Sequence, residues 1–306
     1  LSGGIKEKQQ MDNQTKQTQK SFNEKWTKNS NLALEATISE GSTVFNWILN
    51  RNGFANLTEF KAFLSGKKRI LDGGCGNGRV TKLLRMHSNP ETTEVVGIDF
   101  SSHEVAKENL KNESNLKVQF GNLREDLSSL GLFDFIYCQE VLHHTGDARS
   151  SFKNLCQILE PNGEIAIYVY KEKAPIREFT DDFIRDKISA LSYEDSMKAC
   201  RQITELSKTL TELEVSFDSP AVDVLDIPAG NYSIQRFLYH FFMKCFWNNE
   251  FSFEDNAVIN YDWYHPQDCT RHSIEEVELW FAENNIKINH KFVDFYGITV
   301  KGMKVK

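Results

Sequence analysis

The 306-residue sequence lacks any run approaching the roughly 18 apolar residues that a membrane-spanning helix needs. Its richest stretch, Arg236 to Trp247, is one helix long and is broken by Arg236, His240 and Lys244. It reads as a buried or pocket-lining helix. The first thirty residues are polar and carry no apolar segment of the kind found in secretory signals, so the expected setting is cytoplasmic. A basic excess is also missing. The net charge of −7 argues against a general nucleic-acid binder, although a local basic groove is compatible with it. The six cysteines (Cys75, Cys138, Cys156, Cys200, Cys245, Cys269) form no CxxC pair, which points neither to a zinc site nor to a disulfide framework. They are expected to act as small buried residues in a reducing compartment. No internal repeat is visible.

What is present is a change of rhythm along the chain. Residues 1–21 are rich in Lys, Gln, Asn and Thr and are expected to be a disordered lead. Residues 22–65 form an N-terminal helical cap, with Asn52-Gly53 ending one helix and Asn56-Leu-Thr-Glu59 capping another. From residue 66 to 170 short apolar strands alternate with helices: Arg69-Ile-Leu-Asp72, Val95-Val-Gly-Ile-Asp99, Leu116 to Phe120, Phe133 to Cys138 and Glu164 to Tyr170. That alternation implies βαβ units and a mainly parallel sheet. Strand signals vanish from residue 171 to 260, a helical insertion. Residues 261–306 resume the core with a helix capped by Ser273-Ile-Glu-Glu276 and two strands, Ile286 to Phe295 and Gly297 to Val305.

The segment Asp72-Gly-Gly-Cys-Gly-Asn-Gly78 lies between a strand and a helix. Glycines there let the backbone turn tightly and approach a ligand, and the helix start offers unpaired N–H groups. A dinucleotide site would want G-x-G-x-x-G, but position 79 is Arg, which favours a nucleoside with an amino-acid tail.

Arg69 to Gly78 resembles the first motif of the class I S-adenosylmethionine (SAM)-dependent methyltransferases. Phe133 to His144 resembles the fourth-strand segment of their ubiquinone and menaquinone biosynthesis group, and Leu159 to Ile165 their turn into strand five. The resemblance covers about residues 66–170 and the last two strands. It implies an α/β fold: a doubly wound, mostly parallel seven-stranded Rossmann-like sheet, its last strand antiparallel. The N-terminal helices and the insertion after strand five would form a lid over the carboxyl edge. The cofactor it implies is SAM, leaving as S-adenosylhomocysteine. Asp72, Gly73, Gly74, Gly76 and Gly78 would form the cofactor loop. Asp99 would accept from both ribose hydroxyls, Phe100 would flank the adenine, and Gln139 would lie beside the methionine part. Asn122, with Leu123, falls where the family usually has an acid contacting adenine, which leaves that contact open.

Methyl transfer needs an acceptor atom held in line and, where that atom must first lose a proton, a base. His143 and His144, after strand four, are the first candidates, with an ordinary pKa suited to the task. Tyr261-Asp-Trp-Tyr-His265 is a second cluster, with His265 a further base candidate and Asp262, Trp263 and Tyr264 possible walls of an acceptor pocket or anchors of the insertion. Arg236 to Trp247 is the third, with Tyr239 and His240 as the groups that could reach inward, although core packing is the better reading of this helix. Arg177, Arg185 and Arg201 are placed to recognise an acidic substrate or to line solvated helix faces. The residue spacing suggests no metal. The expected function is methylation of a small molecule. The alternatives are a tRNA or protein methyltransferase and a non-catalytic SAM-binding protein. Lid aromatics equally suit a homodimer.

Overall fold

The computed structural model describes residues 2–305, with side chains from residue 13 onward. Helices α1 (Ser2–Lys28), α2 (Leu34–Ile38), α3 (Thr43–Arg51) and α4 (Leu57–Ser65) precede strand β1 (Arg69–Gly73). There follow α5 (Arg79–His87), β2 (Glu94–Asp99), α6 (His103–Leu110), β3 (Leu116–Phe120), β4 (Phe133–Gln139), α7 (Ala148–Gln157) and β5 (Leu159–Tyr170). The chain continues through α8 (Pro175–Ile188), α9 (Tyr193–Glu212), β6 (Ser216–Ser219), β7 (Gly230–Ser233), α10 (Ile234–Phe241) and α11 (Phe253–Tyr264). Last come α12 (Ile274–Glu283), β8 (Ile286–Val293) and β9 (Gly297–Lys304). These elements fall into two compact units: residues 26–171 with 270–306, and residues 1–25 with 172–269.

The first unit holds a seven-stranded sheet of order β3-β2-β1-β4-β5-β9-β8. Neighbours from β3 to β5 pair in parallel, whereas β9 runs antiparallel to both β5 and β8. The reason is local. Central strands such as Val95-Val-Gly-Ile are apolar on both faces, as parallel strands covered by helices must be. Ile70, Leu71, Ile98, Ile136 and Ile165 are wholly buried. One face packs on Phe152, Trp280 and Phe281, each fully buried, from α7 and α12. Burying such a side chain contributes about 1.5–3 kcal/mol. Asn56 caps α4 as expected by accepting from Glu59 N, while the Glu59 carboxylate accepts from Ala55 N, one residue before the cap. Ser273 accepts from Glu276 N, but the Glu276 carboxylate turns to His272 at 2.9 Å rather than back to Ser273.

The second unit is built on α8 to α11, and several sequence expectations change there. The expected disordered lead is helical instead: α1 covers Ser2–Lys28, with Thr18, Ser21 and Lys25 buried. The first residue of that lead lies outside the described residues. From residue 13, where its side chains are described, α1 docks through a set of polar side chains. Gln17 Nε2 donates to Ser189 O and His265 O, Gln267 N donates to Gln17 Oε1, and Lys25 pairs with Asp262 at 2.8 Å. The strand-free insertion contains an antiparallel pair, β6 with β7, whose four-residue length gives too little periodicity to read. The helix read over Arg236 to Trp247 ends at Phe241. The insertion also extends past 260 to Cys269, because α11 belongs with this unit. Among the described residues no helix is long and apolar enough to cross a membrane.

Candidate functional site

The glycine loop leaves the carboxyl end of β1 and enters α5. Gly74 (φ +87°), Gly76 (φ +57°) and Gly78 (φ +88°) all occupy the left-handed region. A Cβ on Gly74 would stand 2.4 Å from Val141, and one on Gly76 would stand 3.0 Å from the Trp26 indole. The loop is pinned to β2, since Gly74 N and Cys75 N donate to Ile98 O at 2.8 and 2.9 Å. Asn77, fully buried, ties it to the N-terminal segment by donating to Ser30 O and Leu32 O. Gly73 ends β1, packed near Leu155 and Leu123.

Asp72 is buried and accepts from the Thr81 hydroxyl at 2.6 Å. Desolvation pushes its carboxyl up to about 6, against the opposing pull of that hydrogen bond. Asp99 sits at the carboxyl end of β2. Its Oδ2 accepts from Gly76 N at 2.9 Å, while Oδ1 accepts from the backbone N–H and hydroxyl of both Ser101 and Ser102. Asp99 thus fastens the glycine loop to the Ser101-Ser102 turn that leads into α6. A carboxylate oxygen carries about two lone pairs, so Oδ2 retains one acceptor position and Oδ1 is saturated. In this arrangement the open acceptor position of Asp99 is on Oδ2.

The neighbouring expectations divide. Phe100 is half-buried, with its ring 6.0 Å from Phe120. Asn122 folds on itself: its Oδ1 accepts from Arg124 N and its Nδ2 donates to Glu125. The Leu123 side chain lies in the core and its carbonyl accepts from Asn154, leaving its N–H as the group that could meet a ligand. Gln139 accepts from the Tyr137 hydroxyl at 2.7 Å, and Asn52 donates to that same hydroxyl. Next to Gln139, Glu140 is held at φ +60° and pairs with Arg79 at 2.9 Å. Backbone strain of this kind gathers at functional sites. Neither Glu140 nor Trp26 stood out in the sequence, and Arg79 stood out only as a missing glycine.

His143 and His144 lie in a single 3-10 turn after β4 and are both buried. The His143 ring stacks on Tyr170 at 3.6 Å, and the two imidazoles meet edge to face at 4.4 Å. The His143 carbonyl accepts from Thr270 N, which fixes the turn against the start of the C-terminal segment.

In the helical unit, the remaining candidates are engaged with one another. His265 is bonded through both nitrogens, Nδ1 with the Ser21 hydroxyl at 2.7 Å and Nε2 with Leu191 O at 3.3 Å, and it stacks on Tyr261. Burial lowers its pKa, so it is held as a neutral anchor of α1 rather than poised as a base. Asp262 pairs with Lys25. Trp263 Nε1 and the Tyr264 hydroxyl both donate to Asp181. Tyr239 is buried beneath the Arg177 guanidinium, 4.7 Å from its ring centroid. Of the three arginines, Arg201 is exposed and paired with Glu254, and Arg185 bonds Asp182 and Trp263 O. Arg177 alone is both buried and only partly engaged, through Nε to Asp181. Among the described residues no three metal-capable side chains converge.

Residues 64–214 match a family model described as a methyltransferase domain. An uncharacterised protein of Synechococcus sp. is 37% identical over 123 residues, which are 38% of this chain and 29% of that protein. The ubiquinone biosynthesis O-methyltransferase of Coxiella burnetii (strain Dugway 5J108-111) is 30% identical over 101 residues, covering 32% of this chain and 42% of its own. The chain therefore spans less than half the length of these curated relatives. The solved structure of PKMT2 from Rickettsia typhi in complex with AdoHcy shares the fold, with a TM-score of 0.50 and 13% identity over 82% of this chain and 54% of that one. The strand order, the glycine loop and the acid at the end of β2 agree with the family-model match, and together they support a class I, Rossmann-like SAM-dependent methyltransferase.

Proposed function

We propose that the protein transfers a methyl group from SAM to a small-molecule acceptor. The observation that carries this reading is the coupling of the glycine loop to Asp99: the carboxylate that would receive the ribose also fixes Gly76 through its N–H. The residues fit the cofactor chemically. Left-handed Gly74 and Gly76 bring bare backbone to the end of β1, Oδ2 of Asp99 has an acceptor position left, and Gln139 and Phe100 stand at the ends of neighbouring strands. When bound, SAM supplies a methyl group already activated on a sulfonium.

The protein's part is then to bind, orient and exclude water. Asp99 holds a ribose hydroxyl, the glycine loop backbone lies along the amino-acid tail, and Asp72 keeps the loop seated through Thr81. In this reading His143 and His144 accept a proton from an acceptor hydroxyl or amine. His265, committed to Ser21 and Leu191, is left out of that role. A small acceptor is supported by the kinship with ubiquinone biosynthesis O-methyltransferases and by the acidic net charge.

Calorimetric titration with SAM and S-adenosylhomocysteine tests the reading. Micromolar binding that weakens at least tenfold in Asp99→Ala is the expected result. A folded wild-type protein that binds neither would overturn it. For the base, His143→Asn and His144→Asn should bind S-adenosylhomocysteine normally, and at least one should lose about 100-fold in kcat once an acceptor is found.

A further inference from the structure

The helical unit buries two cations close to one carboxylate: Arg177, paired with Asp181, and Lys244, whose ammonium has no hydrogen-bonded acid among the described residues. Asp181, 1% exposed, is saturated: Oδ2 accepts from Arg177 Nε at 3.1 Å and Trp263 Nε1 at 2.9 Å, and Oδ1 accepts from Lys244 N and the Tyr264 hydroxyl, both at 2.8 Å. The other nearby acids are spent, Asp262 on Lys25 and Asp182 on Arg185.

Two cations remain. The Arg177 guanidinium, 2% exposed, lies 4.7 Å from the Tyr239 centroid and 5.3 Å from that of Trp263. Its Nη1 and Nη2 make no hydrogen bond among the described residues. Lys244 is 7% exposed, and its Nζ meets the Trp263 ring at 4.9 Å without a hydrogen bond among the described residues. Burial pushes the Lys244 ammonium down to about 8, which shows how poorly the surroundings compensate it. Isolated buried charge is costly, and side chains left in that condition gather where a ligand completes them.

We propose that Arg177 and Lys244 form a recognition site for a small-molecule carboxylate. The planar Nη1–Nη2 edge of Arg177 matches two carboxylate oxygens, and the Lys244 ammonium adds a point charge. The site lies wholly within the helical unit, and the ligand class it selects is an organic acid.

The test uses the full chain loaded with S-adenosylhomocysteine and 15N-labelled on its indole nitrogens. Sodium benzoate and sodium phosphate are titrated at constant ionic strength, and the Trp263 Nε1–H resonance is assigned by its loss in Trp263→Phe. Saturable movement of that resonance by benzoate is expected, with phosphate weaker. Lys244→Met and Arg177→Lys should each weaken benzoate at least tenfold. Lys244→Met removes an unfavourable buried charge and so should fold. Unchanged benzoate affinity in Lys244→Met, no saturable benzoate binding, or a preference for phosphate would each overturn the proposal. Calorimetry on the same samples reports S-adenosylhomocysteine binding independently. Its failure would sink the methyltransferase reading, whereas a benzoate failure alone would leave that reading standing.

Discussion

Asp99 does structural and ligand-facing work at once, so its removal should be felt twice. Asp99→Ala leaves the N–H groups of Gly76, Ser101 and Ser102 without their acceptor, which costs about 1–3 kcal/mol of stability. Separately, it should weaken SAM by more than tenfold, read by titration at a temperature where the variant is still folded. Gly74 offers a purer steric test. In Gly74→Ala the new Cβ lies 2.4 Å from both Val141 methyls at a φ of +87°, so strain and overpacking together should cost about 3 kcal/mol in denaturant unfolding. Adding Val141→Ala should recover the packing part and leave the backbone part. Full recovery would mean that the left-handed conformation is not strained. The glycine loop was legible because only glycine tolerates these angles. The saturation of Oδ1 by two serines was not, since Ser101-Ser102 reads equally well as a helix cap.

At the scale of elements, legibility followed burial. Strands covered on both faces announce themselves as apolar runs, and β1, β2 and β4 fell where the sequence put them. Helix α1 did not, because its docking face is Gln17, Thr18, Ser21 and Lys25, a set that composition assigns to solvent. Gln17 satisfies three backbone groups of the helical unit. Gln17→Ala should therefore cost about 1–3 kcal/mol and strip hydrogen-exchange protection from residues 13–25. Unchanged protection there would show that α1 is held by other contacts. Lys244 was read only as an interruption of an apolar stretch, and its burial depends on α8 and α11, which no local pattern reveals. Its folded pKa of about 8 lies below the unfolded value of about 10.4, so the ammonium weighs against folding at pH 7 by about 3 kcal/mol. That burden lifts as pH rises from about 8 to about 10. Lys244→Met should accordingly unfold at higher denaturant than wild type at pH 7, with the gap closing toward pH 10. A constant gap would point to packing rather than charge.

Across the whole molecule, the two units carry titrating groups of opposite effect. In the sheet unit, Asp72 has a folded pKa of about 6, above its unfolded value of about 3.9. Its contribution is fully present below pH 4 and is lost as pH rises through about 6, so acidification from pH 7 to pH 5 favours that unit by about 1 kcal/mol. In the helical unit, burial and the neighbouring Arg177, Arg236 and Lys173 push His240 down to about 3, and burial lowers His265 as well. Both must stay neutral in the fold while the unfolded chain takes up protons below about pH 6.5. Stability there falls as pH drops through 6.5, by about 2 kcal/mol at pH 5 for His240. Acid should therefore separate the units. Hydrogen exchange at pH 5, corrected for the intrinsic rate, should show residues 172–269 losing protection while residues 69–171 keep theirs. Equal loss in both segments would mean that the two units unfold as a single cooperative block. His240→Phe and His265→Phe should each narrow the difference, and Asp72→Asn should remove the acid-side gain of the sheet unit.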